Sequence, residues 1–461
     1  MNAPSIFNDV LGPIMRGPSS SHTAAAVRIG LLGRELLGEK PVYARFTFDP
    51  RGSLASTYRG QGSAMGLAAG LIGMKLADKD LVRAEDICRE KGLEIEYRIE
   101  KFDAGHPNIY NTFLKGTTGK EIYFTAVSTG GGIIRLTEMD GKKVDDDLDY
   151  INPLMPVPLK RKPVFPFKDI KDLASMLEKD GGLLSDYAIK HEAGVGKLCE
   201  KDIMAMSHSH LYIMREAIDN GLAGTEYKDR LLHRQSHLFT KIPEKGKLIP
   251  SDLLNRIIQS VTAVMEVKSS MGLILAAPTA GSCGTLPGVL IPSAEAAYKT
   301  EKEMIRALLA AGIIGVFIAN EGGFAAEKGG CQNECGSASG MAAAALVELM
   351  GGDGIMSLNA ASMALQNTLG MICDPVADRV EVPCLGKNVM AALNALAAAN
   401  MVIAGYDHVI PLDEVIITMK DVGRDMHPKY RCTCKGGLSV TPTARKIHNK
   451  LSSTDNQVDD S

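Results

Sequence analysis

An α+β domain followed by an all-α domain is the fold class that this 461-residue sequence predicts. Three observations predict it. Up to about residue 140, short stretches alternate apolar and polar residues with the period of half-buried strands. The segment "NPLMPVPLKRKPVFPF" then carries prolines at a density that forbids regular structure. Beyond it nearly every stretch has helical periodicity, interrupted by glycine-rich loops. A chain of this length has room for two or three sizeable cores.

In chain order, the N-terminal unit (residues 1–150) carries "GPSSSHT" (Gly17 to Thr23) and then a helix over "HTAAAVRIGLLGRELL". "VYARFTFD" follows as a strand with Val42, Ala44, Phe46 and Phe48 on one face. An Ala/Gly/Met helix after Gln61 separates it from strands over "LEIEYRI", "EIYFTAV" and "GIIRLTEM", a small sheet with helices on it. Pro153, Pro156, Pro158, Pro163 and Pro166 make residues 151–167 a semi-rigid spacer. The helical unit, 168–448, contains "DIKDLASMLEKD", "IMAMSHSHLYIMREAI", "LLNRIIQSVTAVMEVKSSM", "EKEMIRALLAAGIIGVFIAN", "SGMAAAALVELMGG" and "KNVMAALNALAAANMVIAGY". The polar tail 449–461 is expected to be disordered.

Composition excludes several classes. A net charge of −3 and 23% charged residues offer no basic footprint for nucleic acid or an anionic membrane. Aromatics at 5%, with no tryptophan, leave little for base stacking. No basic n-region precedes an uninterrupted apolar core at the N-terminus, and the longest apolar stretches are short or carry asparagines. A cytoplasmic protein with buried helices is the expectation. Nine cysteines, an odd number, argue against a disulfide framework in that compartment.

Four stretches stand out from the helical background. In "PTAGSCGTLPG", Gly281, Gly284 and Gly288 are expected to keep the backbone out of a helix, so that N–H groups converge on a carboxylate; a plain turn is the alternative. "KGGCQNECGSASG" sets Cys331 and Cys335 four apart. "CDPVADRVEVPC" sets Cys373 and Cys384 eleven apart, and "RCTCKGG" adds Cys432 and Cys434. Zinc prefers four ligands from closely spaced pairs, which fits this spacing poorly. Iron–sulfur clusters accept ligands from separate loops, and three thiolates would leave one iron open as a Lewis acid. Unrelated core thiols remain the alternative. In the N-terminal unit, the hydroxyls and His22 of "GPSSSHT" could hold a carboxylate and move a proton, or cap the following helix. "AGHPNIYN" places His106 beside a proline turn, and "STGGGIIR" reads as a bulge or turn.

"GPSSSHT", "GSLASTYRG", "HPN", "GGGIIR", "PTAGSCGTLPG", "GGCQNECGSASGMAAAA" and "CDPVADRVEVPC" stand in the order and spacing of iron–sulfur L-serine dehydratases. The sequence resembles the single-chain form, in which a β-type domain precedes an α-type domain, from Ser5 to about Leu438. The resemblance implies an allosteric-substrate-binding-like α+β fold and a helical domain carrying a [4Fe–4S] cluster on Cys331, Cys373 and Cys384. It implies loss of water from L-serine without pyridoxal phosphate, in a cytoplasmic homodimer whose partner is a small amino acid. His22 is then the acid–base candidate. Ser19, Ser20, Ser21, Thr23, Arg59, Gln61, His106, Asn108, Thr279, Gly281 and Ser282 are the substrate-binding candidates. Two departures accompany the match. "RGQGSA" has Gln61 where the family carries a histidine favoured as the base, and Ala64 where it carries an aspartate. Ala444 stands where many single-chain members have a tail cysteine. Glutamine takes no proton near neutrality. The same chemistry on threonine, cysteine or another β-substituted amino acid, or an amino-acid-binding regulator without turnover, are therefore the alternatives.

Overall fold

The computed structural model describes residues 4–102, 105–227, 230–240 and 248–455. Its strands are β1 (Ile14–Met15), β2 (Pro41–Phe48), β3 (Glu94–Ile99), β4 (Ile109–Gly116), β5 (Glu121–Gly130), β6 (Ile133–Met139), β7 (Lys142–Lys143) and β8 (Ile274–Leu275). Six form one sheet in the order β3-β2-β4-β5-β6-β7, with β2 and β3 parallel and the other pairs antiparallel. The parallel pair needs a crossover, which the helices Ser63–Leu71 and Ala84–Glu90 supply.

One face of the sheet packs on Ala25–Leu37, joining Ala44, Phe46, Phe48, Tyr110, Leu114, Phe124 and Leu136 to Ile29 and Leu32 in one core. Each large apolar side chain so buried contributes roughly 1.5–3 kcal/mol. Val42 is only half-buried, because the β2–β4 register shifts between Pro41 and Tyr43. Strand β4, central to the sheet, is absent from the sequence expectations: inward-facing Thr112 interrupts its apolar alternation. Helices Ala25–Leu37 and Ser63–Leu71 cross at glycines. A Cβ on Gly70 would lie 2.2 Å from the Val27 carbonyl oxygen, and one on Gly30 2.6 Å from that of Leu67.

The C-terminal part is largely helical. The helices Asp252–Ser269, Thr285–Ala296, Glu301–Glu321, Ser337–Leu349 and Cys384–Ile403 surround an Ala- and Gly-rich core. Glu301–Glu321 is long and apolar enough to cross a membrane, but 78% of its most apolar window is buried within the fold. The glycine expectation for residues 278–288 needs correction. The backbone turns at Ala280–Ser282, but Gly288 lies inside Thr285–Ala296, where a Cβ would come 2.4 Å from Val261 Cγ2. That glycine serves close helix packing.

Two segments tie the parts together. The first described residues do not pack with the sheet: Ile6, Phe7, Val10, Leu11 and Met15 enter the helical core, and β1 pairs with β8. The expected 1–150 unit thus lends its first residues to the other core. The proline-dense segment lies as a strap on helix Leu184–Val195. Lys160 N donates to Val195 O at 2.9 Å and Val164 N to Gly194 O at 3.1 Å, while Val157 is fully buried. Residues between the prolines keep their N–H groups, and these satisfy the open carbonyls at the end of that helix. Helix Pro442–Asp455 extends into the tail expected to be disordered, and 456–461 lie outside the described residues.

Candidate functional site

"GPSSSHT" forms a tight loop and a π-helical turn, Ser20–Ala24, that runs into Ala25–Leu37. Such widened turns recur at functional sites because they re-aim side chains within a helix. Gly17 has φ +111, and a Cβ there would lie 2.6 Å from Thr23 Cγ2. None of the loop serines caps the helix through its side chain.

Instead they surround His22, which is fully buried. Its Nε2 lies 2.8 Å from Thr57 Oγ1 and 3.4 Å from Ser53 Oγ. Thr57 already donates its hydroxyl hydrogen to Ser53 O at 2.7 Å, so Nε2 carries the hydrogen that Thr57 accepts. On the other side Nδ1 lies 3.2 Å from Ser19 Oγ and 3.1 Å from Ser21 Oγ. Ser21 donates to Glu327 Oε1 at 2.7 Å, and that oxygen is 3.5 Å from Nδ1. This network assigns an Nε2–H tautomer with an accepting Nδ1. Burial pushes His22 below the ordinary histidine range, with Glu327 opposing the shift. The ring is a neutral base beside a carboxylate able to stabilise its protonated form.

The helical part closes this site from the opposite side. Ser20 Oγ accepts from Ala280 N at 3.2 Å, joining the two polar loops. Thr279 Oγ1 accepts from Ser282 N at 3.2 Å and donates to Glu334 Oε1 at 2.9 Å. A Cβ on Gly281 would stand 3.0 Å from the same carboxylate. Glu334 is pushed up to about 8 by burial, then by Cys331 and Glu327. Thr23 does not face this space; it donates to Gln61 O at 2.9 Å.

Glu334 lies in a second π-helical turn, Gln332–Gly336, which begins at Cys331 and leads into Ser337–Leu349. Donor atoms of Cys331, Glu334 and Cys373 lie within 4.8 Å of one another. Backbone pairing sets Cys432 beside Cys373: Cys373 N donates to Tyr430 O at 2.8 Å, and Cys432 N to Cys373 O at 3.0 Å. Gln61 Nε2 points at Cys432 Sγ, 3.6 Å away. Cys384 opens helix Cys384–Ile403, and burial, then the nearby charge of Cys331, pushes its thiol well up. The Cys335 thiol donates a hydrogen bond to Cys331, and both cysteines are free. Hydrogen bonds from Cys335 and Cys373 push Cys331 well down, while Cys335 and Cys373 are pushed up. Several buried thiols this close cannot all ionise without added positive charge. Lys387, the neighbouring ammonium, is held by Asp374 at 2.9 Å. Soft donors from three separate stretches thus fit a polynuclear thiolate-bound metal group.

Of the remaining candidates, His106 and Asn108 lie in the turn just before β4. His106 Nδ1 accepts from Asn108 N at 3.1 Å, and burial, with Lys328, pushes its pKa down to about 4. Arg59 is apart from the others: it stacks on Tyr58 and Tyr97 and lines a smaller cavity, of about 120 Å³, with Arg379 and Glu381. A larger cavity of about 570 Å³ reaches the His22 network at Ser53 and Glu327. Its wall carries Arg51, Lys328, Lys420, Arg424 and Arg431 against the carboxylates Glu321 and Glu327, a field that favours a carboxylate-bearing ligand. Sequence reasoning missed Glu327 and Glu334. Their only signal is position, four residues before and three after Cys331.

Residues 116–439 match the family model described as serine dehydratase alpha chain. The chain is 39% identical over 285 residues to the probable L-serine dehydratase alpha chain of Bacillus subtilis (strain 168), covering 62% of this chain and 95% of that one. It is 30% identical over 453 residues to L-serine dehydratase 1 of Escherichia coli (strain K12), covering 92% of this chain and 96% of that one. The L-serine dehydratase of Haemophilus influenzae (strain ATCC 51907 / DSM 11121 / KW20 / Rd) matches to the same extent, 30% over 453 residues.

Proposed function

The chain belongs to the iron–sulfur L-serine dehydratase family in its single-chain form, and from that premise we propose that it is a [4Fe–4S] ammonia-lyase converting L-serine to pyruvate and ammonia. The observation that carries this reading is the Ser21–Glu327 bond of 2.7 Å. It locks the histidine loop of the sheet part against the turn that leads to Cys331. Cys331, Cys373 and Cys384 would hold the cluster. When bound, it supplies an iron without a protein ligand, a Lewis acid for the departing hydroxyl.

The chain's own groups do the rest. The basic cavity wall draws in the substrate carboxylate, and the Thr279–Ser282 turn with the loop serines holds the substrate still. His22, neutral because it is buried, takes the Cα proton on Nδ1. Glu327, 3.5 Å away, compensates the charge that forms. Loss of water leaves an enamine that hydrolyses to pyruvate and ammonia. A shifted substrate is the second reading, and the orientation of Gln61 favours it: its amide, which takes no proton, occupies the space before Cys432.

The test is anaerobic purification, an iron and sulfide count, and keto-acid release from L-serine, L-threonine and L-cysteine. Fewer than about three irons per chain defeats the cluster assignment. Full iron with no turnover on any of the three defeats the lyase assignment.

A further inference from the structure

Lys268 is a buried cation that the chemistry above leaves unused. It lies in the last turn of helix Asp252–Ser269 and is among the largest side chains with no exposed surface. Its Nζ donates to Val380 O, 112 residues further along the chain. No carboxylate forms an ion pair with it among the described residues. Taking an ammonium out of water costs far more than one carbonyl bond returns, and the negative end of its helix offsets only part of that. A lysine kept here points to negative charge close by.

That charge has a place on the page. Burial pushes the thiols of Cys283 and Cys384 up, and Lys268 opposes the shift at both. It also lowers Glu334, which burial, Cys331 and Glu327 raise. These three residues belong to the turn after Thr279, to helix Cys384–Ile403 and to the turn Gln332–Gly336. Lys387, the other cation near the thiols, is already matched by Asp374 at 2.9 Å and acts on Cys331 and Cys373.

The loop from Cys373 to Cys384 has other anchors besides Lys268. Asp374 Oδ2 accepts from Leu438 N at 2.9 Å, and Val376 N donates to Val382 O at 2.9 Å. The Glu381 carboxylate accepts from Leu231 N and Leu232 N, both at 3.0 Å. What Lys268 adds to this loop is therefore a positive charge, placed at the carbonyl four residues before Cys384.

A cubane bound by three thiolates carries net negative charge. We propose that Lys268 is a positioning residue for the cluster, its buried ammonium being the counter-charge on the Cys384 side of the thiolates. It sets how firmly the cluster is held and how readily it is reduced, and it acts through Cys384 without touching substrate. This rests on the functional reading above.

The test compares the wild-type holoenzyme, prepared anaerobically, with Lys268→Met and Lys268→Arg. The readouts are the rate of iron loss to a chelator, the reduction potential of the cluster, and the melting temperature of the iron-free chain. Lys268→Met should lose iron about 10- to 100-fold faster, the range for removing a group that supports metal ligands. Its potential should move to lower values, because a positive charge that favours the added electron is gone. Lys268→Arg, which keeps the charge, should hold both values near wild type. Without iron, Lys268→Met should melt level with wild type or higher, since it removes an unpaired buried charge. Wild-type iron retention and potential in Lys268→Met overturn the proposal, as does a potential that moves equally in both variants. An iron-free Lys268→Met chain that melts several degrees lower with an unchanged potential overturns it too, leaving a purely structural lysine. A wild-type chain that binds fewer than about three irons overturns the functional reading itself, and this proposal with it.

Discussion

Glu327→Gln tests the charge arrangement at the site most directly. The substitution keeps an oxygen to accept from Ser21 but removes the negative charge 3.5 Å from His22 Nδ1. At that distance and an effective dielectric of about 20, a full carboxylate–imidazolium interaction is worth about 4.7 kcal/mol. A neutral amide recovers part of it as a dipole, leaving a loss of about 2–4 kcal/mol from the step in which His22 becomes charged. By transition-state arithmetic this is a fall of roughly 30- to 1000-fold in kcat. The pH profile gives an independent readout. Glu327 raises His22 against the burial that lowers it, so its removal lowers the histidine further. A base is active above its pKa, so the acid limb of kcat/KM should move to lower pH. The assay is pyruvate release across pH in the anaerobic holoenzyme, with iron content measured alongside. Unchanged kcat and an unchanged acid limb at full iron loading would refute the pairing of Glu327 with His22.

Further outcomes follow from other observations. His22→Asn should lower kcat by about 10²- to 10⁴-fold at unchanged iron content, and full turnover would remove His22 as the base. Ser substitutions at Cys331, Cys373 and Cys384 should each lower bound iron and visible absorbance, whereas Cys199→Ser, at an exposed thiol, should not. Glu192, which accepts from Ser5 Oγ at 2.6 Å and Ile6 N at 2.7 Å, is raised by burial from 4.5 to about 7. The folded state therefore holds the extra proton in that window. Stability should fall by about 3 kcal/mol as pH rises from 4.5 through 7. Denaturant titrations of Glu192→Gln should show this slope flattened, and an unchanged slope would assign it elsewhere. Gly70→Ala drives a Cβ to 2.2 Å from Val27 O and should cost about 1–3 kcal/mol, read as a lower melting temperature.

Period-two and period-3.6 patterns made β2, β3, β5, β6 and the longest helices legible. β4 was hidden because a strand whose inward face holds Thr112 does not alternate cleanly in hydropathy. Helices such as Leu184–Val195 and Gly354–Gln366 escaped because their apolar stripes are broken by buried serines and glutamates. Among site residues, the histidine loop and the three cysteine stretches were visible from unusual composition. Glu327 and Glu334 were not, since a glutamate in a helical sequence looks like surface until its burial is known.

By itself, the sequence determined which chemistry was available: soft donors in separate stretches, one hydroxyl-flanked histidine, and glycine turns. Those depend on residue type and local spacing. Only the tertiary structure decided that Ser21 meets Glu327 across 306 residues, that Cys432 lies beside Cys373, and that Arg59 faces a different cavity. The physical reason is that burial and partnership are properties of the packed interior. They set whether a histidine is neutral and which thiols stand close enough to shift one another, and neither is encoded in the short-range pattern of the chain.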